Sequence, residues 1–135
     1  MRRAREAAER ARARERAAAD ALAALRRGCF RDGYDEAGVA RIDEATGRLR
    51  RGSLTATEAE QAVGAARRRA ETRERLEWVW AGAVGALAFD AIAFLRIRTR
   101  FHGGALDEEE AERAASLIAE RAVGSAVRGG LRRVK

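Results

Sequence analysis

Arginine is the residue type with the clearest chemical capacity in this chain. Of the 28 basic residues, 27 are arginine and only Lys135 is lysine, and the formal net charge is +7. The planar guanidinium group stays charged at physiological pH and binds phosphate through two parallel hydrogen bonds. The arginine content therefore indicates a polyanionic partner. A GC-rich genome, whose codons favour alanine, arginine and glycine together, is an alternative explanation of the same composition.

Most of the surplus charge lies in the first 27 residues, which hold nine arginines and four acidic residues. Basic side chains on a rodlike helix can follow a phosphate backbone, so these arginines and a second cluster are candidate nucleic-acid contacts. The candidates are Arg2, Arg3, Arg5, Arg10, Arg12, Arg14 and Arg16, followed by Arg67, Arg68 and Arg69. The alternative is a solvated helix in which arginine and glutamate side chains pair with each other. The net charge of the first segment exceeds what such pairing needs.

Residues typical of catalytic and metal sites are scarce. The single cysteine, Cys29, excludes an intramolecular disulfide and a cysteine-based zinc site, and the single histidine, His102, excludes a histidine-rich metal centre. The acidic run at 107–110 fits a helix start, where carboxylates interact favourably with the helix dipole, better than a metal site. No glycine-rich nucleotide loop or zinc-protease motif occurs. We therefore expect no enzymatic activity, no cofactor and no bound metal.

The composition predicts the fold class. The chain has 135 residues, enough for one domain, and 47% of them are hydrophobic. Because alanine, arginine and glutamate dominate and β-branched residues are few, an all-α fold of four or five helices is expected. The near absence of Asn, Gln, Cys and Met is typical of proteins from hot habitats.

Turn and capping signals divide the chain into helices. A basic N-terminal helix at 1–28 ends at a glycine and forms a segment of its own, and 29–135 forms a helical domain with a basic tail. Capping boxes at Thr55–Glu58 and Asp107–Glu110 mark two helix starts. The predicted helices of the second segment lie at about 35–51, 55–75, 76–100 and 107–127.

The stretch 76–95 is apolar on nearly all sides, and so small a domain has little protein of its own to cover it. This predicts self-assembly, with Trp78 and Trp80 as interface anchors. A row of small residues at intervals of four lets two helix backbones approach closely, and a carboxylate at its end would need an arginine partner. The row consists of Gly82, Ala86 and Asp90.

A membrane span is the alternative interpretation of 76–95, since about 20 residues cross a bilayer. Asp90 opposes this interpretation, because inserting a charged residue near the centre of a span costs about 2.5–3.5 kcal/mol. Basic residues flank the stretch on both sides, so the positive-inside rule does not predict an orientation in the membrane. Contact of 76–95 with a membrane or a lipid envelope is therefore the second interpretation, after self-assembly. The charged N-terminus carries no secretory signal, so a virion, cytoplasmic or nucleoid location is expected.

An arginine-rich first helix combined with an apolar helix too large for its own core resembles the small α-helical coat proteins of filamentous double-stranded DNA viruses of archaea. In that family, helices of many subunits wrap the duplex through basic residues. The resemblance implies that Arg2 to Arg16 and Arg67 to Arg69 face DNA, and that 76–95 contacts like subunits or an envelope. It implies a structural protein, a homo- or hetero-oligomer that binds duplex DNA or other nucleic acid without reading sequence. A single-span membrane protein oligomerising through 76–95 and a helical scaffold or adaptor are the alternatives.

Overall fold

The computed structural model describes residues 1–86 and 88–134, with side chains described up to Ala122 and Leu87 left out. Within these residues the chain forms five helices and no strand, which confirms the prediction of an all-α fold. The predicted basic tail at 128–135 lies outside the described side chains. The helices are α1 (Arg2–Gly28), α2 (Glu36–Arg50), α3 (Ala56–Ala83), α4 (Ala91–His102) and α5 (Glu108–Val134).

The chain divides into two compact units, Met1–Ala70 and Glu71–Lys135, and α3 contributes residues to both. This corrects the predicted division into a separate N-terminal helix (1–28) and a domain (29–135). The N-terminal helix belongs to the first unit because Ala18 and Leu22, on its second half, are buried in the core of that unit.

Helices α1 and α2 and the first part of α3 form the first unit. Its core consists of alanine and aliphatic side chains from all three helices. Because many of these side chains are small, the helix backbones must lie close together to fill the core. Near its end, α1 is bonded to the middle of α2, where Arg26 Nε donates to Asp43 Oδ1 at 2.7 Å. The buried side chains at its centre are Ala18, Leu22, Val39, Ile42, Ala59 and Val63.

The remaining part of α3, with α4 and α5, forms the second unit. Phe94 and Phe101 of α4 are completely buried, and Trp80 packs its ring against Phe89 and Phe94, with centroids 5.9 and 5.5 Å away. The other buried members are mostly alanines of α5. Four aromatic rings therefore supply most of the volume of this core.

The predicted helix boundaries at 55–75 and 76–100 are wrong. Helix α3 runs on to Ala83, and a new helix begins only at Ala91. The break follows from Asp90, whose side chain accepts a hydrogen bond from the Ala93 backbone N–H at 3.0 Å and so acts as the N-cap of α4. The stretch 76–95 is consequently not one helix. Among the described residues, no helix has the length and apolar character needed to cross a membrane.

Both predicted capping boxes are present. The Thr55 hydroxyl accepts from the Glu58 backbone N–H at 3.1 Å, while the Glu58 carboxylate accepts from the Thr55 N–H at 2.9 Å. Asp107 and Glu110 form the same reciprocal pair at 2.8 and 3.2 Å. These local bonds set the starts of α3 and α5.

The two units repeat each other at a separation of 52 residues. Residues 52–62 read GSLTATEAEQA and residues 104–114 read GALDEEEAERA. Gly52 and Gly104 both have positive φ, 71° and 86°, which glycine adopts without strain. The turn bond from Ser53 N–H to Arg48 O recurs as the bond from Ala105 N–H to Arg100 O.

The repeat extends into the packing of each unit. Ala59 and Ala111, 52 residues apart, are both completely buried. Each is followed by a glutamate that binds the preceding long helix: Glu60 accepts from Arg14, and Glu112 accepts from Thr72 and Arg75. The turn, the capped helix start and the buried alanine therefore recur 52 residues apart, and α2 and α4 are the helices that precede them.

Candidate nucleic-acid interface

The first turns of α1 extend away from the core of the first unit. Every residue from Met1 to Arg10 is exposed, and the first buried residue of the helix is Ala18. Residues 2–10 span about 14 Å at the rise of an α-helix. A helical segment whose side chains are all exposed is accessible to a partner outside the chain.

The arginines of α1 fall on two faces of this helix. With 3.6 residues per turn, Arg3, Arg10 and Arg14 share one face, and a second set shares another. The second set consists of Arg2, Arg5, Arg12 and Arg16. All seven side chains are exposed, as a phosphate-binding role requires. Arg14 is nevertheless engaged, since its Nε donates to Glu60 Oε2 at 3.1 Å and its Nη2 donates to Glu60 Oε1.

A groove of about 820 Å³ runs between α1 and α2. Arg12 and Arg16 line it from α1, and Arg50 lines it from the last turn of α2. Its floor includes Ile42 and Leu49. Acidic side chains lie there too, namely Glu15, Asp20 and Asp43, of which Asp43 is bound by Arg26. Among the described residues, Arg12, Arg16 and Arg50 form no ion pair.

Arg50 is the site residue that the sequence analysis missed. Arg50 lies in the last turn of α2 with Arg48, where the helix dipole favours basic side chains. That local role explains its presence without a partner, so the sequence alone gives no reason to place it beside α1. Only the antiparallel return of α2 brings Arg50 to the groove that Arg12 and Arg16 line.

The cluster at 67–69 is divided by the fold. Arg67 and Arg68 are exposed on α3, as the prediction requires, but Arg69 is only 2% exposed. Its Nε and Nη2 donate to the Asp35 carboxylate at 2.9 and 2.7 Å. Arg69 is therefore removed from the candidate phosphate contacts, because its guanidinium group is enclosed in the first unit.

The predicted assembly residues do not form one surface. Gly82 lies in α3, Ala86 in the turn after it, and Asp90 caps α4, so the three do not share a helix face. The predicted arginine partner of Asp90 is replaced by a backbone group, because the Asp90 carboxylate accepts a hydrogen bond from the Ala93 N–H. Gly82, near the end of α3, and Asp90, a residue type that caps helix starts, were the signal for this break.

The two tryptophans have different roles. Trp80 is half-buried in the core of the second unit, and the Arg98 guanidinium carbon lies 5.7 Å from the centre of its ring. That position identifies Trp80 as a core residue and not as an interface anchor. Trp78 is 73% exposed and remains available to a partner.

In the part of the chain that the structure describes, no group of three or more His, Cys, Asp or Glu side chains is placed to hold a metal ion. Cys29 is buried, and its sulfur lies 3.5 Å from the Leu25 carbonyl oxygen. Cys29 belongs to the first unit and His102 to the second.

Comparison with known proteins gave no match. No protein-family model, curated protein or solved structure matches this chain.

Surface ion pairs give the first unit a pH dependence that can be measured. Hydrogen bonds from Arg14 lower the pKa of Glu60, and hydrogen bonds from Arg26 lower the pKa of Asp43. A carboxyl group whose pKa is lower in the folded state stabilises the fold above its ordinary pKa, and this contribution is lost as the pH falls through the lowered value. We expect the Tm to decrease as the pH falls below 4.5, the ordinary value for glutamate.

Thermal unfolding followed by circular dichroism between neutral pH and pH 2 would measure this decrease. The double variant Glu60→Gln and Asp43→Asn should have a lower Tm at neutral pH and a smaller decrease in acid. Glu71→Gln is the control, since Glu71 is exposed and forms no ion pair among the described residues. A double variant with the wild-type decrease would contradict the assignment.

Proposed function

We propose that this protein is a non-enzymatic structural protein that self-assembles and coats or packages nucleic acid, with duplex DNA as the first choice. The observation that carries the proposal is the start of α1, where exposed arginines extend beyond the core of the first unit. A phosphate backbone is the partner that such a helix fits best, because guanidinium groups at helical spacing can bind successive phosphates.

The groove between α1 and α2 supports the same proposal. Arg12, Arg16 and Arg50 converge on it from two helices, so a phosphate backbone running along α1 meets arginines of α2 as well. Contacts of this kind position a protein on the duplex without reading its sequence. A role in a virion or a nucleoid follows from sequence-independent coating, in keeping with the resemblance to filamentous-virus coat proteins.

The test is binding to a random-sequence DNA duplex across a salt series in detergent-free buffer. The logarithm of the affinity should fall linearly with the logarithm of the salt concentration, with a slope of about −0.9 for each phosphate contact. Two unrelated duplexes of equal length should bind with similar affinity. A protein that stays in solution and binds neither duplex would overturn the proposal and leave a scaffold or adaptor role.

Charge reversal locates the interface. The triple variant Arg5→Glu, Arg12→Glu and Arg16→Glu should bind weakly, and its salt slope should be less steep by about 0.9 for each lost contact. The matched control reverses three exposed arginines that line no part of this groove and form no ion pair in the described part of the chain, namely Arg31, Arg100 and Arg121. Equal losses in the two variants would show that net charge, and not the α1 face, determines binding.

A further inference from the structure

Two aromatic side chains of the first unit lie at its surface and not in its core. Phe30 is 52% exposed and Tyr34 is 53% exposed, and neither belongs to the buried cluster at the centre of that unit. They are the only Phe, Tyr or Trp residues between Met1 and Ala70. Aromatic rings commonly supply much of the buried area of a core. Here both rings leave about half of their surface accessible to a partner.

The turn between α1 and α2 holds the two rings together. Their centroids lie 5.2 Å apart with 25° between the ring planes, so the rings are stacked. The backbone is closed just outside them, because the Asp35 N–H donates to the Cys29 carbonyl oxygen at 2.9 Å and both of these residues are buried. Gly33, with φ of 98°, lets the chain turn between the rings. We call this preformed surface the aromatic pair; it consists of Phe30 and Tyr34.

The aromatic pair adjoins the groove between α1 and α2. Arg26 lines that groove, and its guanidinium carbon lies 5.7 Å from the centre of the Phe30 ring. Arg12 and Arg16 line the same groove from earlier turns of α1. A strand whose phosphates follow these arginines along α1 therefore reaches the aromatic pair where the helix ends.

The charged side chains next to the pair in sequence balance one another. Arg27 and Arg31 are basic, Asp32 and Glu36 are acidic, and all four are exposed without an ion pair among the described residues. Such a surface offers a phosphate little net attraction. The aromatic pair should therefore contribute stacking, while the attraction for phosphate comes from the arginines of the groove.

We propose that the aromatic pair stacks on an unpaired base of a nucleic-acid strand whose phosphates are bound in the groove between α1 and α2. Every base has a flat π face, so stacking on aromatic side chains tolerates any sequence. The bases of a duplex are stacked on one another and do not offer a free face. This inference rests on the proposed function and deepens it, because it adds single-stranded nucleic acid to the ligands of the same site.

The test compares the binding of oligothymidylate with the binding of a random-sequence duplex of the same length. The double variant Phe30→Leu and Tyr34→Leu should bind oligothymidylate about tenfold more weakly, a loss within the range for one stacked base. Its salt slope should not change, because neither substitution alters a charge. Its affinity for the duplex should equal that of the wild type.

A matched variant separates stacking from any other effect of these positions. The double variant Phe30→Tyr and Tyr34→Phe keeps both rings and should bind oligothymidylate like the wild type. Thermal unfolding followed by circular dichroism verifies that both double variants are folded. Photo-crosslinking of an oligothymidylate that carries one bromodeoxyuridine examines the unaltered chain, and the cross-linked peptides should contain Phe30 or Tyr34.

The outcomes distinguish this inference from the proposed function. Equal affinities of the wild type and the leucine variant for oligothymidylate, or cross-links only at other residues, would overturn the stacking site and leave duplex binding intact. Binding to the duplex with none to oligothymidylate would have the same meaning. A chain that binds neither form would overturn both proposals.

Discussion

Asp35→Ala is expected to lower the free energy of unfolding by about 3–5 kcal/mol, because it leaves the buried guanidinium group of Arg69 without its carboxylate. Asp35 is completely buried, and Arg69 binds it through Nε at 2.9 Å and Nη2 at 2.7 Å. The same carboxylate accepts from the Gly38 backbone N–H at 3.1 Å and so caps α2. One substitution therefore removes an ion pair and a helix cap together.

Urea unfolding followed by circular dichroism measures this change as a shift of the midpoint. If Asp35→Ala does not fold, Asp35→Asn provides a second measurement, since the amide oxygen can still cap α2 while the negative charge is lost. Its destabilisation should be smaller than that of the alanine variant. Asp20→Ala, at an exposed position of α1, is the control and should change the stability by no more than about 0.5 kcal/mol. A midpoint for Asp35→Ala close to that of Asp20→Ala would contradict the expectation.

Phe94→Ala is expected to destabilise the second unit by about 3–5 kcal/mol, the range for removing a buried aromatic ring and leaving a cavity. Phe94 has no exposed surface and contacts two other rings, those of Trp80 and Phe89, with centroids 5.5 and 5.7 Å away. On the α5 side of this core the buried residues are mostly alanines, which are too small to fill the space.

The fluorescence of Trp80 reports this change directly. In a Trp78→Phe background Trp80 is the only tryptophan. In the Phe94→Ala variant its emission should shift to longer wavelength, and the unfolding midpoint should move to lower urea. Val84→Ala, which shortens an exposed side chain, should leave both the emission and the midpoint close to their values in that background. An unchanged Trp80 emission in Phe94→Ala would show that the ring cluster does not hold the indole in place.

Much of the fold is encoded within a few residues and could be predicted. The capping box at Thr55–Glu58 needs only a hydroxyl and a carboxylate three residues apart, and both of its hydrogen bonds are present. The glycine before it reverses the chain through positive φ at Gly52. Signals of this kind act over a single turn, so they do not depend on what packs against them.

The break in the apolar stretch shows where such signals compete. Hydrophobicity favoured one long helix across 76–100, whereas Asp90 caps a new helix and Ala83 ends the old one. The aromatic residues on either side of the break explain the outcome. Trp80 before it and Phe94 after it belong to one core, which a straight helix could not form.

By itself, the sequence determined that this chain is helical, where most of its helices begin, and that its positive charge is concentrated in α1. Only the tertiary structure decided which arginines face solvent. Arg67, Arg68 and Arg69 are chemically identical neighbours, yet the last is buried against Asp35 and the other two are exposed. The physical reason is that helix formation and capping depend on nearby residues, whereas the burial of a charge depends on a partner 34 positions away that only the packed core brings within hydrogen-bonding distance.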